Sequence, residues 1–143
     1  LNIVHVRTYQ PGQVIIEEGT LGDDFFILLS GKVHVLKKRQ LLATLSRGAH
    51  FGEMGLVDRA PRSATVRVEE PTKVMVIHRK DFYPMLKHEP HLTVKLLWCF
   101  LHSLNTRLRN TNAELLEARG ELSNFTRQLT LSSVDDNELP WAQ

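Results

Sequence analysis

Cysteine is almost absent from this chain: Cys99 stands alone among 143 residues. That excludes an internal disulfide framework and any cysteine-based zinc cluster, and it points to a reducing, cytoplasmic setting. Long hydrophobic runs are missing as well. None approaches the ~18 apolar residues that cross a bilayer, so no membrane partner is expected, and no signal peptide opens the sequence. Charge of one sign is scarce too, since 18 Lys and Arg against 16 Asp and Glu leave a net +2. Such a balance gives no ground for non-specific nucleic-acid binding. Catalytic signatures are lacking: there is no Ser-His-Asp pattern and no Gly-Lys-Ser phosphate loop. His88 and His91 flank Pro90 and cannot form the helical pair of a zinc protease. Asp23 and Asp24 are neighbours with no third ligand near, and read as loop and strand-entry residues. Neither an enzyme nor a metal site is expected.

What is present, 42% hydrophobic and 24% charged residues, fits one globular domain. Glycine divides it. Gly12, Gly19, Gly22, Gly31, Gly48, Gly52 and Gly55 crowd the first part, and only Gly120 follows. Up to about His78 the chain reads as short β-branched or aromatic stretches set off by turn residues. These are Gln13 to Glu17, Phe25 to Ser30, Lys32 to Leu36, Leu41 to Leu45, Ser63 to Val68 and Lys73 to His78, with Gly31 and Gly48 read as turns between strands. Alternation in several of them gives each strand one buried face, the pattern of an antiparallel β-barrel or sandwich. The run Lys37 to Arg39 reads as a solvated hairpin tip.

After Arg79 the pattern becomes helical. A short helix is expected over Asp81 to Lys87, with Pro84 near its first turn, and Pro90 restarts the chain. From Leu97 the apolar positions step alternately by four and three: Leu97, Leu101, Leu104, Leu108, Thr111, Leu115, Ala118, Leu122, Phe125, Leu129. This is a heptad repeat. At ~1.5 Å per residue a helix of that extent is roughly 50 Å long, more than a small barrel can cover, so a second copy is the expected partner for its seam. All-leucine a positions do not by themselves fix two strands over three or four. Thr111 interrupts the seam, which implies a role in register or a polar contact. Trp98 and Phe100 lie off the seam, where they can pack on the barrel, and Cys99 is expected as a small core residue.

The most informative stretch is Phe51 to Val66, FGEMGLVDRAPRSATV. Gly52 and Gly55 permit a tight turn whose amides converge, and Glu53 to Val57 can form one helical turn with an open N-terminus, a place that suits phosphate. Arg62 then offers a guanidinium that grips two phosphate oxygens, with the Ser63 hydroxyl beside it. Glu53 repels phosphate but can accept a hydrogen bond from a ribose hydroxyl. Phosphate and ribose together make a nucleotide.

These residues resemble the cyclic-nucleotide-binding domain family of bacterial catabolite activator-type regulators, regulatory subunits of cAMP-dependent protein kinase and cyclic-nucleotide-gated channels. The resemblance extends to EGTLGDDFFILLSGKVHV from Glu18 to Val35, in which Gly22 and Asp23 match a pair that supports the cassette, and to VIHRKDF from Val76 to Phe82. It implies a mainly β fold with α, a jelly-roll barrel over residues 1–89 with its phosphate-binding cassette at 51–66, then a long dimerisation helix over 90–130 and a flexible tail over 131–143. In the implied site Arg62, Ser63 and the Gly52 backbone hold the cyclic phosphate, Glu53 holds the ribose 2′-hydroxyl, and Phe51, Met54 and Ala64 complete the cassette. Thr111 and Asn112 on the long helix meet the purine. Serine at position 63, as in catabolite activator-type members, favours cAMP, with cGMP the alternative. The expected protein is therefore a cytoplasmic, homodimeric sensor that signals to an unidentified downstream protein. Residues 131–143 leave no room for a DNA-binding domain in this chain, the opening on Leu1 implies that some native N-terminus is missing, and the alternative reading is a sensory fragment of a larger transcription regulator or enzyme.

Overall fold

A computed structural model describes residues 4–135, with side chains as far as residue 132. The described elements run β1 (His5–Tyr9), β2 (Val14–Ile16), β3 (Asp24–Lys37), β4 (Gln40–Leu45), β5 (His50–Phe51), α1 (Met54–Val57), β6 (Thr65–His78), α2 (Arg79–His88) and α3 (Pro90–Asp135). The strands make one antiparallel sheet in the order β1-β6-β3-β4, with β2 added to β6 and β5 to β3. β1 and β2 occupy successive stretches of one edge of β6, and β5 and β4 do the same on β3. This is the jelly-roll-like arrangement expected from the sequence.

Two departures concern strand limits. β3 and β6 each run 14 residues and pair along their length, from Asp24 opposite His78 to Leu36 opposite Thr65. The turn expected at Gly31 is a bend inside β3. Gly31 holds φ +92, and the ladder changes register on both sides of it. A Cβ there would lie 2.3 Å from Thr72 Oγ1 and 2.5 Å from the Pro71 carbonyl oxygen, so the missing side chain lets β6 cross at close range. Gly48 remains a turn, its amide donating to the Leu28 carbonyl at 2.8 Å. Strands β1 and β5 were not anticipated.

Alternation along β3 and β6 builds two cores. Phe26, Leu28, Val33, Val66, Val68, Val74 and Val76 face inward with Ile16 and Phe51, forming the barrel interior. Phe25 and Ile77, one residue out of phase, face the opposite side and are covered by Leu56 of α1, Phe82 and Met85 of α2, and Phe100 of α3. Each such large side chain contributes on the order of 1.5–3 kcal/mol when fully buried. β5 therefore stands between the cores: Phe51 stacks on Phe26 at 5.1 Å, while His50 meets Phe25 and Phe100.

Helix α2 begins two residues earlier than expected, at Arg79, which places Pro84 in its interior and forfeits an intrahelical hydrogen bond there. Thr93 ties α2 to α3 by donating from Oγ1 to the Met85 and Glu89 carbonyls. Residues through Phe100 form one unit and those from Leu101 a second. In the first unit Phe100 is 8% exposed, but Trp98 is 70% exposed and does not pack on the barrel. The core position expected for Cys99 is also overturned, since its side chain is exposed. A helix turns ~100° per residue, so the face that brings Phe100 inward turns Cys99 away. In the second unit Leu101, Leu108, Leu115, Leu122 and Leu129 are all exposed. Helix α3 continues to Asp135, and the remainder of the expected tail, 136–143, lies outside the described residues. No helix among the described residues is long and apolar enough to cross a membrane.

The β3–β4 hairpin turns through Lys38 and Arg39, at φ +48 and +65, with Lys37 opposite Gln40. Left-handed conformations at both central residues suit Asn-Gly and cost longer side chains about 1 kcal/mol or more. The K38N/R39G double variant is accordingly expected to gain about 1 kcal/mol of stability. Urea denaturation checks this, and an unchanged midpoint refutes it.

Candidate functional site

Arg62 is placed by its own backbone before its side chain is considered. Its amide donates to the Thr20 carbonyl at 2.8 Å, and its carbonyl accepts from the Gly19 amide at 2.8 Å, which pins the residue against the β2–β3 connection. The guanidinium then donates from Nη1 to the Gly52 carbonyl at 3.1 Å and from Nη2 to the Asp24 carbonyl at 2.8 Å. Three glycines make room for it. A Cβ on Gly22 would sit 2.8 Å from Nη2, one on Gly55 2.9 Å from Nη1, and one on Gly52 3.1 Å from Nη1. Gly52 also holds φ +78, a second reason for glycine.

Burial pushes the Arg62 guanidinium below the usual arginine pKa, while the charges of Asp24, Asp23 and Glu53 pull it back. An arginine so placed still carries its proton at neutral pH. The cassette therefore presents a fixed, partly dehydrated cation with further N–H groups of its planar fork available to an anion.

Helix α1 is a single turn held by Leu56, which is buried in the second core. Its open end is narrower than the sequence suggested, because the Gly55 and Leu56 amides are engaged with the Gly52 and Glu53 carbonyls at 3.1 and 3.0 Å. Glu53 takes the N-cap position in right-handed helical conformation and makes no side-chain capping bond. Its side chain lies inward: Glu53 is 9% exposed, with Oε2 3.6 Å from Nδ1 of His50.

The other expected site residues fall in distinct places. Ser63 is exposed beside Arg62, Ala64 is half-buried, Met54 is exposed on α1, and Phe51 is buried in the barrel core. Thr111 and Asn112 are exposed on α3 within the second unit. Asp24 enters β3 as expected, and its carboxylate is paired with Nδ1 of His78, whose ring lies 5.4 Å from that of His5. Sequence reasoning missed His50. Its signal was weak: a lone histidine beside Phe51 whose ring partners, Phe25 and Phe100, are distant in the chain. Among the described residues no group of three or more His, Cys, Asp and Glu can hold a metal ion.

The arrangement suits a small anion carrying a hydroxyl: a cation in a glycine shell, an exposed hydroxyl at Ser63, and a buried carboxylate at Glu53 near enough to act on the Arg62 charge. Comparison with known proteins agrees. The family model described as "Cyclic nucleotide-binding domain" matches residues 6–89. A cGMP-dependent protein kinase of Eimeria tenella is 46% identical over 78 residues, covering 54% of this chain and 8% of the kinase. The Cyclic AMP receptor protein of Thermus thermophilus is 32% identical over 114 residues, covering 76% of this chain and 51% of that protein. Among solved structures, a cyclic nucleotide-binding domain from Methylobacillus flagellatus superimposes with a TM-score of 0.74 at 29% identity, covering 80% of this chain and 67% of the other. The chain thus spans from 8% to 51% of the length of these two curated relatives. With its family model matched over more than half the sequence and its cassette and barrel in place, the chain belongs to the cyclic nucleotide-binding domain family.

Proposed function

We propose that this chain is a cAMP sensor without catalytic activity of its own, which pairs through its long helix and passes ligand binding on to a downstream protein or to further domains of a longer polypeptide. The observation that carries the reading is the Arg62 guanidinium, held by two carbonyls and enclosed by Gly22, Gly52 and Gly55. A cyclic phosphate would accept from that fork and from Ser63, and the Glu53 carboxylate would accept from the ribose 2′-hydroxyl. Thr111 and Asn112 would meet the purine from the helix. Ser63, serine as in the catabolite activator-type pattern, supports cAMP. The kinship to a cGMP-dependent protein kinase supports cGMP as the second reading.

The exposed leucines of α3 support a homodimer, since seven seam leucines left in water are unfavourable and a second identical helix removes them. Binding would shift a two-state equilibrium by no more than the difference in ligand affinity between the two states. A single exposed cysteine is compatible with a cytoplasmic setting.

Thermal melting with increasing cAMP and cGMP tests the ligand, because a ligand of the native state raises the midpoint in proportion to RT ln(1 + [L]/Kd). The expected result is a rise with both nucleotides, larger for cAMP. No rise with either refutes the sensor reading, and a larger rise with cGMP selects the second one. Light scattering of the same sample is expected to give twice the 16.4 kDa chain mass. A monomer mass refutes helix pairing.

A further inference from the structure

A buried carboxylate next to a half-buried cation has a default fate, which is to pair with it. Glu53 and Arg62 are placed for that outcome. Glu53 is 9% exposed and close enough for its charge to act on the guanidinium. If the carboxylate swung onto Arg62 it would occupy the fork that the phosphate needs and would leave the ribose unrecognised. The guanidinium donates to the Gly52 and Asp24 carbonyls, and Glu53 Oε2 lies toward His50.

We propose that His50 is a positioning residue: it draws the Glu53 carboxylate away from Arg62 and aims it at the ribose 2′-hydroxyl, and thereby sets how strongly the site discriminates against a deoxyribose. This rests on the cyclic-nucleotide reading of the site. His50 is 6% exposed, and its Nδ1 faces Glu53 Oε2 at 3.6 Å, within ion-pair range though beyond hydrogen-bond length. An N–H at Nδ1 directs positive charge at the carboxylate, and catalytic or binding contacts that are long without ligand commonly tighten once it binds. The imidazole itself has little freedom. Its ring centroid lies 5.1 Å from Phe100 of α3 and 5.7 Å from Phe25 of β3, and those two rings meet edge-on at 4.4 Å. Strand β5 fixes its backbone by placing His50 opposite Ile27. Two packed rings and strand β5 thus hold an imidazole whose Nδ1 faces the ligand-side carboxylate.

His50→Phe keeps a ring for Phe25 and Phe100 to pack on and removes the N–H. Isothermal titration of wild type and variant with cAMP and with 2′-deoxy-cAMP separates positioning from packing. Wild type is expected to prefer cAMP. In His50→Phe the affinity for cAMP is expected to fall about tenfold more than that for 2′-deoxy-cAMP, the size of one charge-assisted contact, since a carboxylate released onto Arg62 opposes the phosphate of both nucleotides while the ribose contact is lost to cAMP alone. His50→Gln, which retains an N–H donor, is expected to recover most of the discrimination. An equal loss for both nucleotides in His50→Phe, or unaltered discrimination, overturns the positioning role and leaves the sensor reading intact. A wild-type protein that binds neither nucleotide overturns the sensor reading and the positioning role together.

Discussion

Replacing Arg62 by alanine is expected to weaken cAMP binding ten- to a hundredfold or more. The guanidinium supplies charge-assisted hydrogen bonds, each worth on the order of 1.5–3 kcal/mol, and ~1.4 kcal/mol is a factor of ten in affinity. The loss is expected for cGMP as well, since the cyclic phosphate is common to both. Arg62→Lys should fall between wild type and Arg62→Ala: lysine keeps the charge but lacks the fork that reaches the Gly52 and Asp24 carbonyls together. Because those carbonyls lose a donor in either variant, the cassette loosens, and titration should be done well below each variant's melting temperature. Isothermal titration that gives wild-type affinity in Arg62→Ala would remove the phosphate role from this residue.

The second large effect concerns the fold. Gly31→Ala is expected to destabilise the barrel by at least about 3 kcal/mol, a sizeable share of the 5–15 kcal/mol typical of a domain. Two costs combine. Alanine at φ +92 is conformationally strained, and its methyl would meet Thr72 Oγ1 at 2.3 Å, the Pro71 carbonyl oxygen at 2.5 Å and Thr72 Cα at 2.7 Å. Two of those atoms are backbone and cannot rotate aside. Gly48→Ala is the control, since Gly48 has φ +86 with nothing within 4 Å of the added carbon. It should show only the conformational cost, about 1 kcal/mol. Urea denaturation of both variants compares them, and equal losses would show that the bend at Gly31 yields easily.

Much of this fold was legible because alternation is a local signal. Val66 and Val68 announce one buried face of β6 whatever they pack against. Strand β1 was not legible, since His5 to Tyr9 takes its order from Val76 to Thr72, residues far along the chain that no local pattern reveals. Gly31 was read as a turn because glycine marks turns and bends alike, and only the crossing of Thr72 distinguishes them. On the helix, the heptad spacing located the leucine seam but could not say that Phe100 turns inward while Trp98 and Cys99 face water. The cassette was the most readable part of the site. Its glycines and Arg62 lie within one short segment, and Gly22 with Asp23 was recognised beside them. His50 was invisible for the opposite reason, since its meaning resides in Phe100 and Glu53 and no local motif singles it out.

The glycine shell has one more consequence. A single functional cation is usually vulnerable at one codon, yet here any side chain added at three other positions would push against the same group. The geometry of that cation can therefore be lost at four positions, Arg62, Gly22, Gly52 and Gly55.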